Sequence, residues 1–218
     1  MKGILYAVGV GPGDPDLLTV KAIKTISMAD VIACPAKGSE PGVAYQIASK
    51  ACSGISEKEI ILLSFPMKTE NLITAHQEAA YKISEKLKAG KNVAFLTLGD
   101  PEFYSTFYYI ADIIKKEGYD IEVINGVTSF SAAAARLMLP VALGSEPVMI
   151  TTGEYTPFDG TVIILKAGGH LKEIKKKASE SRKTAYMVVN CGMPDEKVYY
   201  SVQSMPDEAG YFCTVIVK

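Results

Sequence analysis

The chain has 218 residues, with 23 Lys and Arg against 24 Asp and Glu, two His and no Trp. That length suits one large domain or two small ones with a real core, and 48% hydrophobic with 22% charged residues excludes a disordered chain. A net charge of −1 argues against a general nucleic-acid binder, and the longest uncharged run, 13 residues from Val123 to Ala135, is too short to cross a bilayer.

Gly3 to Val10 is a continuous apolar run, the signature of a strand buried on both faces. It meets Gly11-Pro-Gly-Asp-Pro15, which is a turn and not the end of a signal peptide. Asp14 or Asp16 is expected to cap the helix that follows. Ala29 to Pro35 reads as a second strand stopped by proline. This β-loop-α-β opening predicts a parallel sheet. A short helix is expected over Val43 to Ala51 and a strand over Ile60 to Phe65, ended by Pro66. From Asn71 to Ala89, Leu72, Ala75, Ala79, Ile83 and Leu87 recur at helical spacing, with Gly90 at the C-terminal cap. A strand over Asn92 to Leu98, a helix over Phe103 to Glu117 and a strand over Ile121 to Ile124 complete the first half.

In the second half, Thr128 to Met138 is a helix of small residues. Strands are expected at Val148 to Thr151, Val162 to Leu165, Ala185 to Val189 and Phe212 to Val217, with a helix at Leu171 to Glu180. The fold class is α/β in two α/β domains, residues 1–125 with a mostly parallel sheet and residues 126–218.

Three glycine loops carry the functional signal. Gly9-Val-Gly-Pro-Gly13 lacks the G-x-G-x-x-G spacing, and no Gly-Lys-Ser/Thr follows it. On spacing alone it is a tight turn. Leu98-Gly-Asp-Pro-Glu-Phe-Tyr-Ser-Thr106 leaves a strand with a fixed carboxylate, Asp100, and two hydroxyls, Ser105 and Thr106, at a helix start. Asn125-Gly-Val-Thr-Ser129 is a third strand-to-helix turn. Loops at the carboxyl ends of parallel strands are where ligands bind in doubly wound sheets, so the three together predict a cleft of backbone and small polar groups.

Other candidates are weaker. His76 and His170 have no ligand-like spacing, so no protein metal site is expected. Cys34, Cys52, Cys191 and Cys213 form no C-x-x-C pair, which fits packed thiols in a reducing cytoplasm. The lysines from Lys172 to Lys177 read as a solvated helix face. Tyr104, Tyr108 and Tyr109, with Phe103 and Phe107, read mostly as core, with room for one to face a large planar ligand.

Val8-Gly-Val-Gly-Pro-Gly-Asp-Pro-Asp-Leu-Leu-Thr19, Thr97-Leu-Gly-Asp-Pro101 and Gly126-Val-Thr-Ser129, in this order, resemble the signatures of the tetrapyrrole (corrin/porphyrin) methyltransferases. Phe65-Pro-Met67, Leu98 to Phe107 and Val127 to Arg136 resemble the branch that methylates carbon 20 of precorrin-2 or cobalt-factor II in cobalamin synthesis. The resemblance implies S-adenosylmethionine as methyl donor, held in a cleft between two α/β domains of a homodimer. Carried over by position, Pro12, Leu98, Gly99, Asp100, Phe103, Ser105, Thr106, Thr128, Ser129 and Lys166 line the cofactor pocket. It also implies a tetrapyrrole substrate; the near-neutral charge and short uncharged runs predict no nucleic-acid or membrane partner, and the cysteine spacing a cytoplasmic location. Asn125 stands where many relatives have proline, and Lys166 where some have methionine. No catalytic acid or base is singled out. The alternatives are a family member acting on another ring carbon or on RNA or protein, and a corrinoid-binding module without turnover.

Overall fold

The computed structural model describes residues 2–65 and 72–218. Its chain divides into two compact units, one running to Val127 and one from Thr128 to Lys218.

The first unit runs β1 (Ile4–Gly9), α1 (Val20–Met28), β2 (Val31–Lys37), β3 (Glu40–Pro41), α2 (Val43–Ala51), β4 (Glu59–Ser64), α3 (Leu72–Lys88), β5 (Val93–Thr97), α4 (Phe107–Lys116) and β6 (Asp120–Ile124). Five strands are parallel in the order β4-β2-β5-β1-β6, and β3 folds back antiparallel on the end of β2. Alternation in the strands feeds two cores. Leu5, Ala7, Val93 and Phe95 pack with Ile83 and Leu87 of α3 and Phe107 and Ile110 of α4. Val8, Ile32, Ala94 and Leu96 pack with Ala22 and Ile26 of α1 and Ile47 of α2 on the opposite face. A strand covered on both faces has no position left for a polar side chain, which is why these segments read as unbroken apolar runs.

Two connections part at the middle of this sheet. β1 leads to α1 on one face, and its neighbour β5 leads to α4 on the other. The carboxyl ends of β1 and β5 are therefore a topological switch point, where the loops separate and leave a crevice.

The second unit runs α5 (Ser129–Arg136), β7 (Val148–Thr152), β8 (Thr161–Leu165), α6 (Leu171–Glu180), β9 (Ala185–Val189), β10 (Lys197–Tyr199) and β11 (Cys213–Val217). Its sheet has the order β10-β9-β11-β8-β7, with only β7 and β8 parallel. Val162, Ile164, Met187 and Val215 pack against Leu171, Ile174 and Ala178 of α6.

Four expectations need correction. Asp14 does not cap α1; its carboxylate accepts from Asp16 N–H (3.0 Å) and caps the short 3-10 turn Pro15–Leu17. Thr19 caps α1, its hydroxyl accepting from Ala22 N–H at 3.1 Å. Pro35 does not stop β2, because the ladder to β5 has already ended at Ala33 and no donor is missed there. The helix expected from Phe103 begins only at Phe107, because residues 101–104 form turns. Only Phe107 of that aromatic group is core; Phe103 and Tyr104 precede the helix and are exposed, and Tyr108 and Tyr109 are exposed on it. The Phe65-Pro-Met67 segment falls partly outside the described residues, as do Asn71 and the expected strand end at Pro66. The two- and three-residue strands β3 and β10 were not foreseen from the sequence.

His76 lies on α3 with its ring stacked on Tyr109 (4.9 Å between centroids, 6° apart) and beside Phe65 (5.8 Å). Its buried Nε2 has no hydrogen-bond partner among the described residues. Burial disfavours the imidazolium and pulls its pKa below the ordinary 6.5. As pH falls through that ordinary value, the unfolded chain takes up a proton that the folded chain resists, so folding stability is lost. His76→Phe keeps the stack and removes this proton uptake. Urea titrations at about pH 7.5 and about pH 5.5 should show a smaller loss of stability on acidification in His76→Phe than in the parent. Equal losses would refute this reading.

Candidate functional site

The site is built at the switch point from the three glycine loops. The first two are joined by a reciprocal pair of backbone hydrogen bonds. Gly99 N–H donates to Gly11 O at 2.7 Å and Gly11 N–H to Gly99 O at 3.1 Å. Val10 N–H extends the ladder to Thr97 O at 2.9 Å. The third loop closes against both. A Cβ on Gly126 would lie 2.2 Å from Gly99 O and 2.9 Å from Gly9 Cα, and a Cβ on Gly9 would lie 2.6 Å from Gly126 N. Only glycine permits such an approach of three backbones.

Asp100 is the centre of this junction. It is 6% exposed. One carboxylate oxygen accepts from Glu102 N–H at 2.8 Å. The other accepts from Gly126 N–H at 2.9 Å and from the Asn125 amide at 3.3 Å. A buried carboxylate needs such donors to offset its lost hydration. Its side chain therefore joins the second loop to the third, a task that sequence spacing did not suggest.

Ser105 sits on the same loop, where its hydroxyl accepts from Phe107 N–H (3.1 Å) and lies 3.4 Å from the Thr97 hydroxyl. Thr106 precedes α4 without a side-chain cap bond. Pro12 is buried, Leu98 is half-buried, and Phe103 is 40% exposed. Tyr104 has a φ of +50°, in the left-handed region that a bulky residue enters only at a cost of about 1–3 kcal/mol. The Tyr108 hydroxyl donates to Glu102 at 2.8 Å, and burial followed by that carboxylate raises its pKa.

The structure thus brings Pro12, Leu98, Gly99, Asp100, Phe103, Ser105 and Thr106 to one edge of the first sheet. Thr128, Ser129 and Lys166 belong to the second unit. Thr128 caps α5, its hydroxyl accepting from Ser131 N–H at 3.3 Å, and Ser129 is the first residue of that helix. Lys166 follows β8 with a φ of +55°, and its ammonium lies 5.4 Å from the Tyr211 ring centroid. Two participants escaped the sequence reading. The Thr19 hydroxyl donates to Asn125 O at 3.3 Å, and Asn125 holds Asp100. The signal available was an amide directly before the third-loop glycine.

Among the described residues no group of three or more His, Cys, Asp or Glu is placed to hold a metal ion, and no helix is long and apolar enough to cross a membrane. The edge consists of glycine backbone, small hydroxyls, a half-exposed phenylalanine and one internally bonded carboxylate. That set can offer a small ligand hydrogen bonds and an aromatic face.

The chain belongs to the tetrapyrrole (corrin/porphyrin) methylases, whose family model matches residues 4–204. It is similar to the probable cobalt-precorrin-2 C(20)-methyltransferase of Methanocaldococcus jannaschii, with 32% identity over 201 residues, 89% of this chain and 85% of that protein. It is also similar to the cobalt-precorrin-2 C(20)-methyltransferase of Salmonella typhimurium, with 27% identity over 100% of this chain and 97% of that one. The fold matches the uroporphyrin-III C-methyltransferase of Thermus thermophilus complexed with S-adenosylhomocysteine, with a TM-score of 0.72 and 20% identity over 99% of this chain and 92% of that chain.

Gly126→Ala must push Gly99 O away or break the Gly126–Asp100 bond, because both neighbours are backbone. It should destabilise the protein by about 1–3 kcal/mol in urea unfolding. Gly169→Ala, where a Cβ meets nothing within 4 Å, should stay within about 0.5 kcal/mol of the parent. Equal effects at the two positions would contradict the packed junction.

Proposed function

We propose that this chain is an S-adenosylmethionine-dependent methyltransferase that acts on carbon 20 of precorrin-2 or cobalt-factor II during corrin-ring synthesis. The observation that carries the reading is full-length similarity to C(20)-methyltransferases. It is joined to an edge where three ordered loops meet around Asp100.

When bound, S-adenosylmethionine supplies a methyl group already activated on a sulfonium. The protein's share is then to hold donor and acceptor close, aligned and dry. Leu98, Gly99 and Phe103 offer backbone and an aromatic face to the cofactor. Ser105 and Thr106 offer hydroxyls, and Pro12 shapes the first loop. The family resemblance also assigns Thr128, Ser129 and Lys166, in the second unit, to the cofactor. Asp100 is assigned to this set too, acting mainly through the loops that it ties and through the negative field it places beneath them. The four cysteines are buried and lie in no disulfide, and burial pushes Cys34 up to about 11 and Cys213 up to about 12. Unreactive thiols fit a cytoplasmic enzyme. A homodimer is the proposed assembly, and sedimentation velocity showing only monomer would refute it.

The decisive experiment mixes the protein with S-adenosylmethionine and precorrin-2, with and without cobalt in the ring, and follows product mass. One added methyl mapped to carbon 20 is expected. Bound cofactor with no methyl on either ring would move the substrate to another ring carbon or macrocycle. In parallel, Asp100→Ala should weaken S-adenosylhomocysteine binding at least about tenfold, as loss of charged hydrogen bonds implies. Unchanged calorimetric affinity would remove Asp100 from the site.

A further inference from the structure

The third loop is held by more than its glycine. Asn125 is stitched from both ends. Its carbonyl accepts from the Thr19 hydroxyl at 3.3 Å, and its side-chain amide donates to Asp100 at 3.3 Å. The orientation of that amide follows from chemistry, since an ionised carboxylate only accepts. The Asp100 oxygen that it meets also receives Gly126 N–H at 2.9 Å. Thr19 in turn caps α1. One continuous path therefore links the helix after the first loop, the third loop and the carboxylate of the second.

Asn125 is itself exposed and packs into no core cluster. Its side chain joins no core, while the hydrogen bonds of its carbonyl and its amide end on Thr19 and on Asp100 of the candidate site. A proline would set φ at this position by its ring; asparagine sets the turn by hydrogen bonds instead.

We propose that Asn125 is a positioning residue for the methyl donor: by bridging Thr19 and Asp100 it fixes the third loop against the second, and so fixes the backbone edge on which the cofactor rests. This inference rests on the cofactor assignment of the preceding subsection. It adds a residue for which that assignment has no role. Asn125 touches no reacting atom and acts through Asp100 and Gly126.

The test compares the parent with Asn125→Ala and Asn125→Asp. Calorimetric titration with S-adenosylhomocysteine is read beside thermal unfolding and steady-state kinetics. Asn125→Ala should weaken binding about three- to tenfold, the range of an ordinary net hydrogen bond, as its 3.3 Å length befits. The KM for S-adenosylmethionine should rise to match, with kcat changed less than about twofold. Asn125→Asp places a second carboxylate beside Asp100 and should bind more weakly than Asn125→Ala. Both variants should still melt within a few degrees of the parent, the shift that losing one hydrogen bond of an exposed residue produces. A parent that binds while Asn125→Ala binds equally well overturns this proposal alone. Lower melting with unchanged affinity marks a merely structural residue and also overturns it. A parent that does not bind S-adenosylhomocysteine takes down the cofactor assignment and this proposal together.

Discussion

The carboxylate of Asp100 is the contact on which the candidate site depends. Three N–H donors converge on it from two loops that are 25 residues apart in the chain. Buried at 6% exposure, it would be costly without them and binds strongly with them, because hydrogen bonds to a charged acceptor contribute about 1.5–3 kcal/mol each. The glycines around it follow from the same demand. The third loop can reach the carboxylate only if Gly126 lies against Gly9 and Gly99, and the second loop stays in register because Gly11 and Gly99 exchange their hydrogen bonds.

The sheet supplies the frame for this contact. β1 and β5 are paired in register from Leu5–Val93 to Gly9–Thr97, so their loops leave side by side before turning to opposite faces. The apolar layers beneath, with Phe95 and Phe107 on one side and Leu96 and Ile26 on the other, keep the strand ends fixed. A rigid edge of backbone and hydroxyls is what methyl transfer asks of a protein. The donor carries its own activation, and alignment supplies the remaining rate.

Much of the frame was legible in the sequence. Buried parallel strands announce themselves as apolar runs, and α2, α6 and β9 begin and end where the sequence reading expects them. The failures have local causes. Asp14 and Thr19 are both competent caps, and only the structure shows that the 3-10 turn at Pro15 consumes the first. Helical spacing from Phe103 to Tyr109 suggested a buried face, but the turn through Tyr104 delays the helix, and within α4 only Phe107 of these rings faces the core. The strands β3 and β10 are too short to show a period. Glycine and aspartate in the three loops marked the site, yet the partners of Asp100 are set by tertiary approach. A sequence read along one dimension cannot show that Gly126 and Asn125 meet a carboxylate on another loop.

Native-state hydrogen exchange at the Gly126 amide tests the central claim most directly. If the amide is held by buried Asp100 in a packed junction, it should exchange as slowly as the β1 and β5 amides of the sheet centre, through the same large opening. Exchange at the rate of an exposed loop would show that the third loop is not fixed to the carboxylate, and would contradict the account.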